Sequence, residues 1–232
     1  MRTGISLEHD LSKLLTAPIT IVNDAAAALL AEHRFGVLAG SDHCAYMTWS
    51  TGIGFGLMCD GRLLRGKLGN AGHAGHAVSP FTFPGDPVCG CGNVGDVESF
   101  AGGKALAQAW GGPAESLFAS LRAGDAAARR LVDQALDAVA SALYNLVVTL
   151  DLERIAIGGG LFCAQRDILL EPLRDRVLGD TRRRGLAPLI DTVTLEPVED
   201  PERTAALGAL CIVMPQDWAN PAFVTAGAEF TR

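Results

Sequence analysis

The sequence predicts a mixed α/β chain, and three observations carry that prediction. Short apolar runs suited to strands cluster in the first 65 residues, joined by a glycine-rich turn and an Asp-Gly turn. From Val97 onward, apolar residues recur at helical spacing. Single buried-type strands then alternate with those helices, closed by a run of three glycines.

In chain order, Leu7 to Leu15 reads as a short helix and Ile19 to Val22 as a short strand. Asn23-Asp24 opens an alanine-rich helix from Ala25 to about Arg34, stopped near Gly36. Ala45 to Ser50 and Ile53 to Cys59 read as paired strands around a glycine turn, and Asp60-Gly61 turns the chain into a third strand, Arg62 to Leu64. An irregular loop runs to Gly95. Helices follow at Val97 to Phe100, Lys104 to Trp110 and Ala114 to Leu121. The longest helix, about Ala126 to Leu150, places Leu131, Ala135, Val139, Leu143, Leu146 and Val147 on one stripe. Arg154 to Ile157 is a strand ending in Gly158-Gly159-Gly160, followed by a helix from Asp167 to Val177, a strand from Thr192 to Leu195 and a helix from Arg203 to Val213.

Composition narrows the function classes. At 232 residues, 49% of them hydrophobic, the chain can bury a sizeable core, and with 6% aromatics aliphatic packing must fill it. The net charge of −7, with no basic cluster except Arg182-Arg183-Arg184 on an expected surface loop, argues against direct nucleic-acid binding. No apolar run reads as a membrane span, and the start MRTGISLEHD has no apolar signal core, so a reducing cytoplasm is the expected setting. Of the six cysteines, Cys44, Cys59, Cys163 and Cys211 lie in apolar runs typical of buried thiols; Cys89 and Cys91 do not.

Chemistry concentrates in Gly69 to Glu98, GNAGHAGHAVSPFTFPGDPVCGCGNVGDVE. This Gly- and Pro-rich loop has few apolar side chains to anchor it, yet it holds His73, His76, Cys89, Cys91, Asp96 and Glu98. His76, Cys89 and Cys91 are three ligands of zinc type, with Asp96 the nearest candidate for a fourth. A lone Cys-x-Cys is more often not a metal site; an upstream His in an unsupported loop changes that balance. Glu98 is either a first-turn carboxylate favoured by the helix dipole or a group reaching a polar ligand. Asp24 is either an N-cap assisted by Asn23 or a general base at the edge of a strand. Thr51-Gly52-Ile53-Gly54 and Gly158-Gly159-Gly160 are either plain tight turns or backbone cradles for phosphate. Neither fits a Walker or Rossmann fingerprint.

Together these segments resemble the ROK family of bacterial sugar kinases and sugar-responsive repressors, from about Pro18 to Leu210. Val22-Asn23-Asp24-Ala25 is similar to the family's catalytic segment, Ser50 to Gly56 to a phosphate loop, Gly69 to Glu98 to the sugar and zinc loop, and Ile157 to Leu161 to the adenosine-side turn. The resemblance implies an actin/hexokinase-like, ribonuclease H-like ATPase fold, mainly its C-terminal lobe. Residues 1–22 would be a remnant of the N-terminal lobe, 23–214 the sugar- and ATP-binding lobe, and 215–232 a tail. It further implies ATP with Mg2+ as co-substrate, a structural Zn2+, a sugar as substrate and a homo-oligomeric assembly. Asp24 would be the base. Asn23, His73, His76 and Glu98 would face the sugar, and Thr51, Gly52, Gly54, Gly159 and Gly160 the nucleotide. His76, Cys89, Cys91 and Asp96 would hold the metal.

Three departures from the family pattern qualify this. His73 stands where most members carry a sugar-contacting Glu, as in some N-acylmannosamine kinases, which makes an N-acyl hexosamine a candidate beside glucose. Asp96 stands in place of a third zinc cysteine. No Asp-x-Gly-Gly-Thr phosphate loop occurs in these residues. Three functional readings follow: an ATP-dependent sugar kinase, the effector domain of a sugar-responsive repressor, or a kinase-like binder without catalysis.

Overall fold

The computed structural model describes residues 7–80, 87–179 and 185–213. The arginine triplet at 182–184 and the expected tail at 215–232 lie outside them. The chain opens with α1 (Leu7–Ser12), shorter than its apolar pattern predicts, and α2 (Asp24–Phe35). A sheet follows from β1 (Cys44–Trp49), β2 (Ile53–Cys59) and β3 (Arg62–Leu63). Asp60 and Gly61 both take positive φ, 51° and 66°, the hairpin geometry their dipeptide predicts.

The second half holds α3 (Val97–Ala101), α4 (Gly103–Trp110), α5 (Ala114–Arg122) and α6 (Ala126–Leu150). After these come β4 (Arg154–Gly158), α7 (Gly160–Ala164), α8 (Arg166–Leu178), α9 (Ala187–Ile190), β5 (Thr194–Pro197) and α10 (Pro201–Val213). The sheet order is β3-β2-β1-β4-β5. β1, β2 and β3 pair antiparallel, whereas β4 joins β1 and β5 joins β4 in parallel.

Side-chain alternation along β1 sorts the molecule into layers. Cys44 and Tyr46 face a smaller core with Ala25, Leu29, Met58 and Ala156 under α2. Ala45, Met47 and Trp49 face the larger core built with Leu106, Phe118, Leu143 and Phe162. On the first face α10 lies across α2. Buried Glu32 of α2 accepts a hydrogen bond from Thr204 Oγ1 at 2.6 Å and from the Val37 N–H at 3.1 Å, so each of its carboxylate oxygens has a partner at that crossing.

The helix α6 departs from the sequence expectation about membranes. By length and composition it is apolar enough to cross one, yet 56% of its most apolar window is buried inside the protein. Ala135, Val139, Leu143 and Val147 of its predicted stripe form part of the larger core, which is the role the fold gives it. Asp125 caps its start by accepting the N–H groups of Ala127 and Ala128 at 2.8 and 2.9 Å.

Two strand expectations are corrected. Ile19 to Val22 forms no strand: among the described residues no neighbouring strand pairs with it, and Ile21 remains 52% exposed. An apolar run needs a ladder partner before propensity matters. The last strand runs over Thr194–Pro197 rather than 192–195, because its register is set by pairing Leu195 with Ile155 and Pro197 with Ile157.

Candidate sugar, nucleotide and metal site

The turn between β1 and β2 is where the candidate residues meet. Ser50 N–H donates to Gly52 O at 2.9 Å, which tightens the turn. On one side of it, Glu98 of α3 accepts the Ile53 N–H through Oε2 at 2.8 Å, while its Oε1 lies 3.4 Å from Cys89 Sγ. A Cβ on Gly52 would stand 2.5 Å from that carboxylate. Glu98 is thus more than a first-turn charge, since it bridges the sheet edge to the metal-type loop.

The loop itself is held by backbone. His73–His76 forms a short 3-10 turn against β2, with a Cβ on Gly75 only 2.2 Å from Ile53 O. Only glycine permits that approach. Val78 bridges to Asp96 and Val88 to Val94, so the expected irregular loop carries two small antiparallel bridges.

Those constraints gather four donors. The ligand atoms of His76, Cys89, Cys91 and Asp96 all lie within 4.8 Å of one another. Both thiol sulfurs are 3.6 Å from His76 Nδ1, and Cys91 Sγ is 3.6 Å from Asp96 Oδ2. Zinc–sulfur and zinc–nitrogen bonds of about 2.3 and 2.05 Å at tetrahedral angles give an S-to-N edge of roughly 3.6 Å, so the donor set fits a zinc ion. The His76 Nδ1 to Asp96 Oδ2 separation of 3.0 Å is hydrogen-bond length. Because Nδ1 faces the cluster, Nε2 of His76 is left on the opposite side of the ring.

Asp96 has two roles in this geometry. It is buried; Oδ1 accepts the Ser99 N–H at 2.8 Å and caps α3, while Oδ2 faces His76 and Cys91. Burial works to raise its carboxyl, but the hydrogen bonds from Ser99 and His76 outweigh it and hold the group below the ordinary carboxylate value. Burial pushes the neighbouring Cys89 thiol up to about 12, the cost of a thiolate there without a cation.

The other residues expected to face a sugar lie beside His76 and at the start of α2. His73 is exposed, its Nδ1 2.9 Å from Asn70 O and its ring centroid 5.9 Å from that of His76. At the start of α2, the cap is Asn23 rather than Asp24. Asn23 Oδ1 accepts the N–H groups of Ala25 and Ala26 at 3.0 and 3.3 Å. Asp24 is the first helical residue, solvent-exposed, its Oδ1 near its neighbour's N–H at 2.8 Å. Ala25 beside it packs 3.6 Å from where a Cβ on Gly54 would lie, which sets Asp24 next to the start of β2.

On the other side of the turn lies a cleft of about 390 Å³. Ser50 and Thr51 of the first glycine turn and Gly160 of the second line it together, although over 100 residues separate them. Gly159 takes φ 96°, and a Cβ on it would stand 2.5 Å from the Trp49 backbone. That glycine lets the two turns close on one another. Gly52 and Gly54 lie outside the cleft lining, the first against Glu98 and the second against α2. Lys104, Glu115 and Gln165 also line it and were not singled out from the sequence. Nothing local marks them, because their meaning depends on which turn each helix meets.

The chain resembles known proteins over most of its length. The ROK family pattern matches residues 2–214. An N-acetylmannosamine kinase of Salmonella arizonae is 39% identical over 164 residues, covering 68% of this chain and 55% of that protein. The chain therefore spans about half the length of the curated relatives it matches. Among solved structures, a ROK hexokinase from Thermus thermophilus superposes with a TM-score of 0.74 at 35% identity, over 88% of this chain and 70% of that one. A ROK family transcriptional regulator, a homologue of the E. coli MLC protein, superposes with a TM-score of 0.71 at 25% identity, over 89% and 54%. With its sheet, its two glycine turns and its family pattern in agreement, this chain belongs to the ROK family and has the actin-like ATPase fold of the family's sugar kinases.

Proposed function

We propose that the chain is the sugar- and nucleotide-binding part of an ATP-dependent sugar kinase, a phosphotransferase acting on an alcohol group. The observation that carries this reading is the β1–β2 turn. Its Ser50-Thr51 side lines the cleft, and its Ile53 side holds Glu98, so a nucleotide-type site and a sugar-type carboxylate lie within one turn. Phosphoryl transfer needs such adjacency, because catalysis rests on positioning and on charge stabilisation.

In this reading Thr51 and the Gly159-Gly160 turn hold an ATP bound with Mg2+, and Asn23, His73, His76 and Glu98 contact the sugar. Asp24 accepts the hydroxyl proton as that oxygen attacks phosphorus. His76, Cys89, Cys91 and Asp96 would hold a zinc ion, whose contribution is to fix the ring angle of His76. An N-acyl hexosamine of N-acylmannosamine type is favoured over glucose, since His73 removes the anionic acceptor that a Glu would offer a sugar hydroxyl. The similarity to an N-acetylmannosamine kinase supports that preference. A cytoplasmic homo-oligomer with no nucleic acid as direct partner completes the reading.

Similarity to a ROK transcriptional regulator over 89% of the chain supports a second reading, a sugar-binding effector domain. Asp24→Asn separates the two. In the kinase reading, phosphorylation of N-acetylmannosamine falls by about 10²–10⁴-fold with sugar affinity kept. Equal turnover by wild type and variant would remove Asp24 as base, and tight sugar binding with no turnover even after an upstream lobe carrying Asp-x-Gly-Gly-Thr is added would favour the effector domain. The polypeptide 1–232 alone should turn over slowly, because it offers one phosphate loop of the family's two. Adding an upstream lobe with Asp-x-Gly-Gly-Thr should raise the rate.

A further inference from the structure

Lys104 stands apart from the other basic residues of the chain. It is the one Lys or Arg among the residues lining the 390 Å³ cleft. Its place there is fixed by backbone rather than by its side chain. The Lys104 N–H donates to Thr51 O at 3.0 Å, and the Gly103 N–H donates to Ser50 O at 2.8 Å. A Cβ on Gly103 would lie 2.7 Å from that same Ser50 oxygen, so the contact exists only because position 103 is glycine. The sequence thus pins the start of α4 to the glycine turn and sets the backbone of a cleft-lining lysine against Thr51.

The charge environment favours an incoming anion. No ion pair or side-chain hydrogen bond engages the Lys104 ammonium among the described residues. The one carboxylate lining the cleft, Glu115, is not within ion-pair distance of it. Placing a cation in the first turn of α4 also runs against the helix dipole, which an incoming anion would offset.

From this arrangement we infer that Lys104 is a phosphate-contacting residue of the cleft, reaching the oligophosphate chain of the bound nucleotide. The inference rests on the nucleotide reading given above and adds a residue to it. Ser50 and Thr51 supply neutral donors to the phosphates, and Lys104 supplies charge. Ala107, Phe118 and Leu161 leave apolar wall for the base and ribose. As a point charge on a flexible stem, the ammonium can follow the phosphate as it moves between bound and transferred states.

The test is calorimetric titration of the full chain with ATP, adenosine and inorganic tripolyphosphate, for wild type, Lys104→Met and Lys104→Arg. ATP affinity should fall about 10-fold in Lys104→Met, the scale of one charge-assisted hydrogen bond, and be largely restored in Lys104→Arg. Adenosine affinity should not change, and the loss should shrink as salt is raised. Equal loss for ATP and adenosine would mean that Lys104 only shapes the cleft, and an unchanged ATP affinity would equally overturn the inference. If wild type binds tripolyphosphate in a Lys104-dependent way but not ATP, the nucleotide reading fails while the phosphate contact stands. If it binds neither, both fail.

Discussion

The metal-type loop and the nucleotide-type cleft share one turn and are built in opposite ways. The loop brings side-chain donors from His76, Cys89, Cys91 and Asp96 together over a short stretch of sequence, and backbone bridges keep them in place. The cleft brings backbone turns together over a long stretch, and its shape depends on glycines and main-chain contacts. The loop should therefore respond to what its donors bind. The cleft should respond to whether two chain segments can touch. Removing a ligand tests the first, and adding a methyl group tests the second.

The largest effect is expected at Gly159. Alanine there must adopt φ near 96° and place its Cβ 2.5 Å from the Trp49 backbone, which cannot rotate away as a side chain could. Gly159→Ala should cost about 3 kcal/mol or more of stability, summing positive-φ strain and overpacking. Denaturant unfolding checks this directly. A loss under about 1 kcal/mol would show that the β1 and β4 ends are not locked together and that the cleft is the softer of the two regions.

The second effect belongs to the loop. Protein prepared with zinc should carry about one ion per chain by elemental analysis, and a chelator should lower its Tm. Free zinc at one hundred times its Kd stabilises by about 2.7 kcal/mol, or a Tm change of about 5–11 °C for a chain of this size. Cys89→Ser should abolish the chelator response. Metal-free protein with the same Tm before and after chelation would leave the loop held by its bridges alone.

The two regions also differ in how far the sequence discloses them. The four donors are distinctive residue types within one loop, so their chemistry is legible before the fold is known. The carboxylate Glu98 was half legible: its helix position was evident, but its bond to the Ile53 N–H requires knowing that α3 meets β2. Lys104 was not legible at all, since a lysine opening a helix is ordinary until Thr51 is found against it. The cap at the start of α2 shows a finer limit. Asn23 and Asp24 have nearly equal capping preference, and only the backbone at Asn23, φ −66° and ψ 143°, assigns the cap to it and makes Asp24 the first helical residue. Ile19 to Val22 shows the reverse error, where strand-like composition had no strand to pair with.

The smallest and sharpest effect separates the two duties of Asp96. Asn at this position keeps an oxygen for the Ser99 N–H and remains a good N-cap, but it gives up the anionic oxygen facing His76 and Cys91. Cys supplies a thiolate to the metal but cannot cap. In metal-free protein, Asp96→Cys should therefore cost about 1 kcal/mol and Asp96→Asn less, while zinc affinity should order Cys above Asp above Asn. Acid adds an independent check. The folded carboxyl of Asp96 lies below its unfolded value, so its contribution is full above the ordinary carboxylate range and is lost as pH falls through the lowered folded value. Metal-free Asp96→Asn should accordingly lose less stability than wild type over that acidic window. Parallel acid-stability curves for the two proteins would mean that the Ser99 and His76 contacts do not favour the charged form, and the weaker zinc expected of Asp96→Asn would then have to come from the lost ligand charge alone.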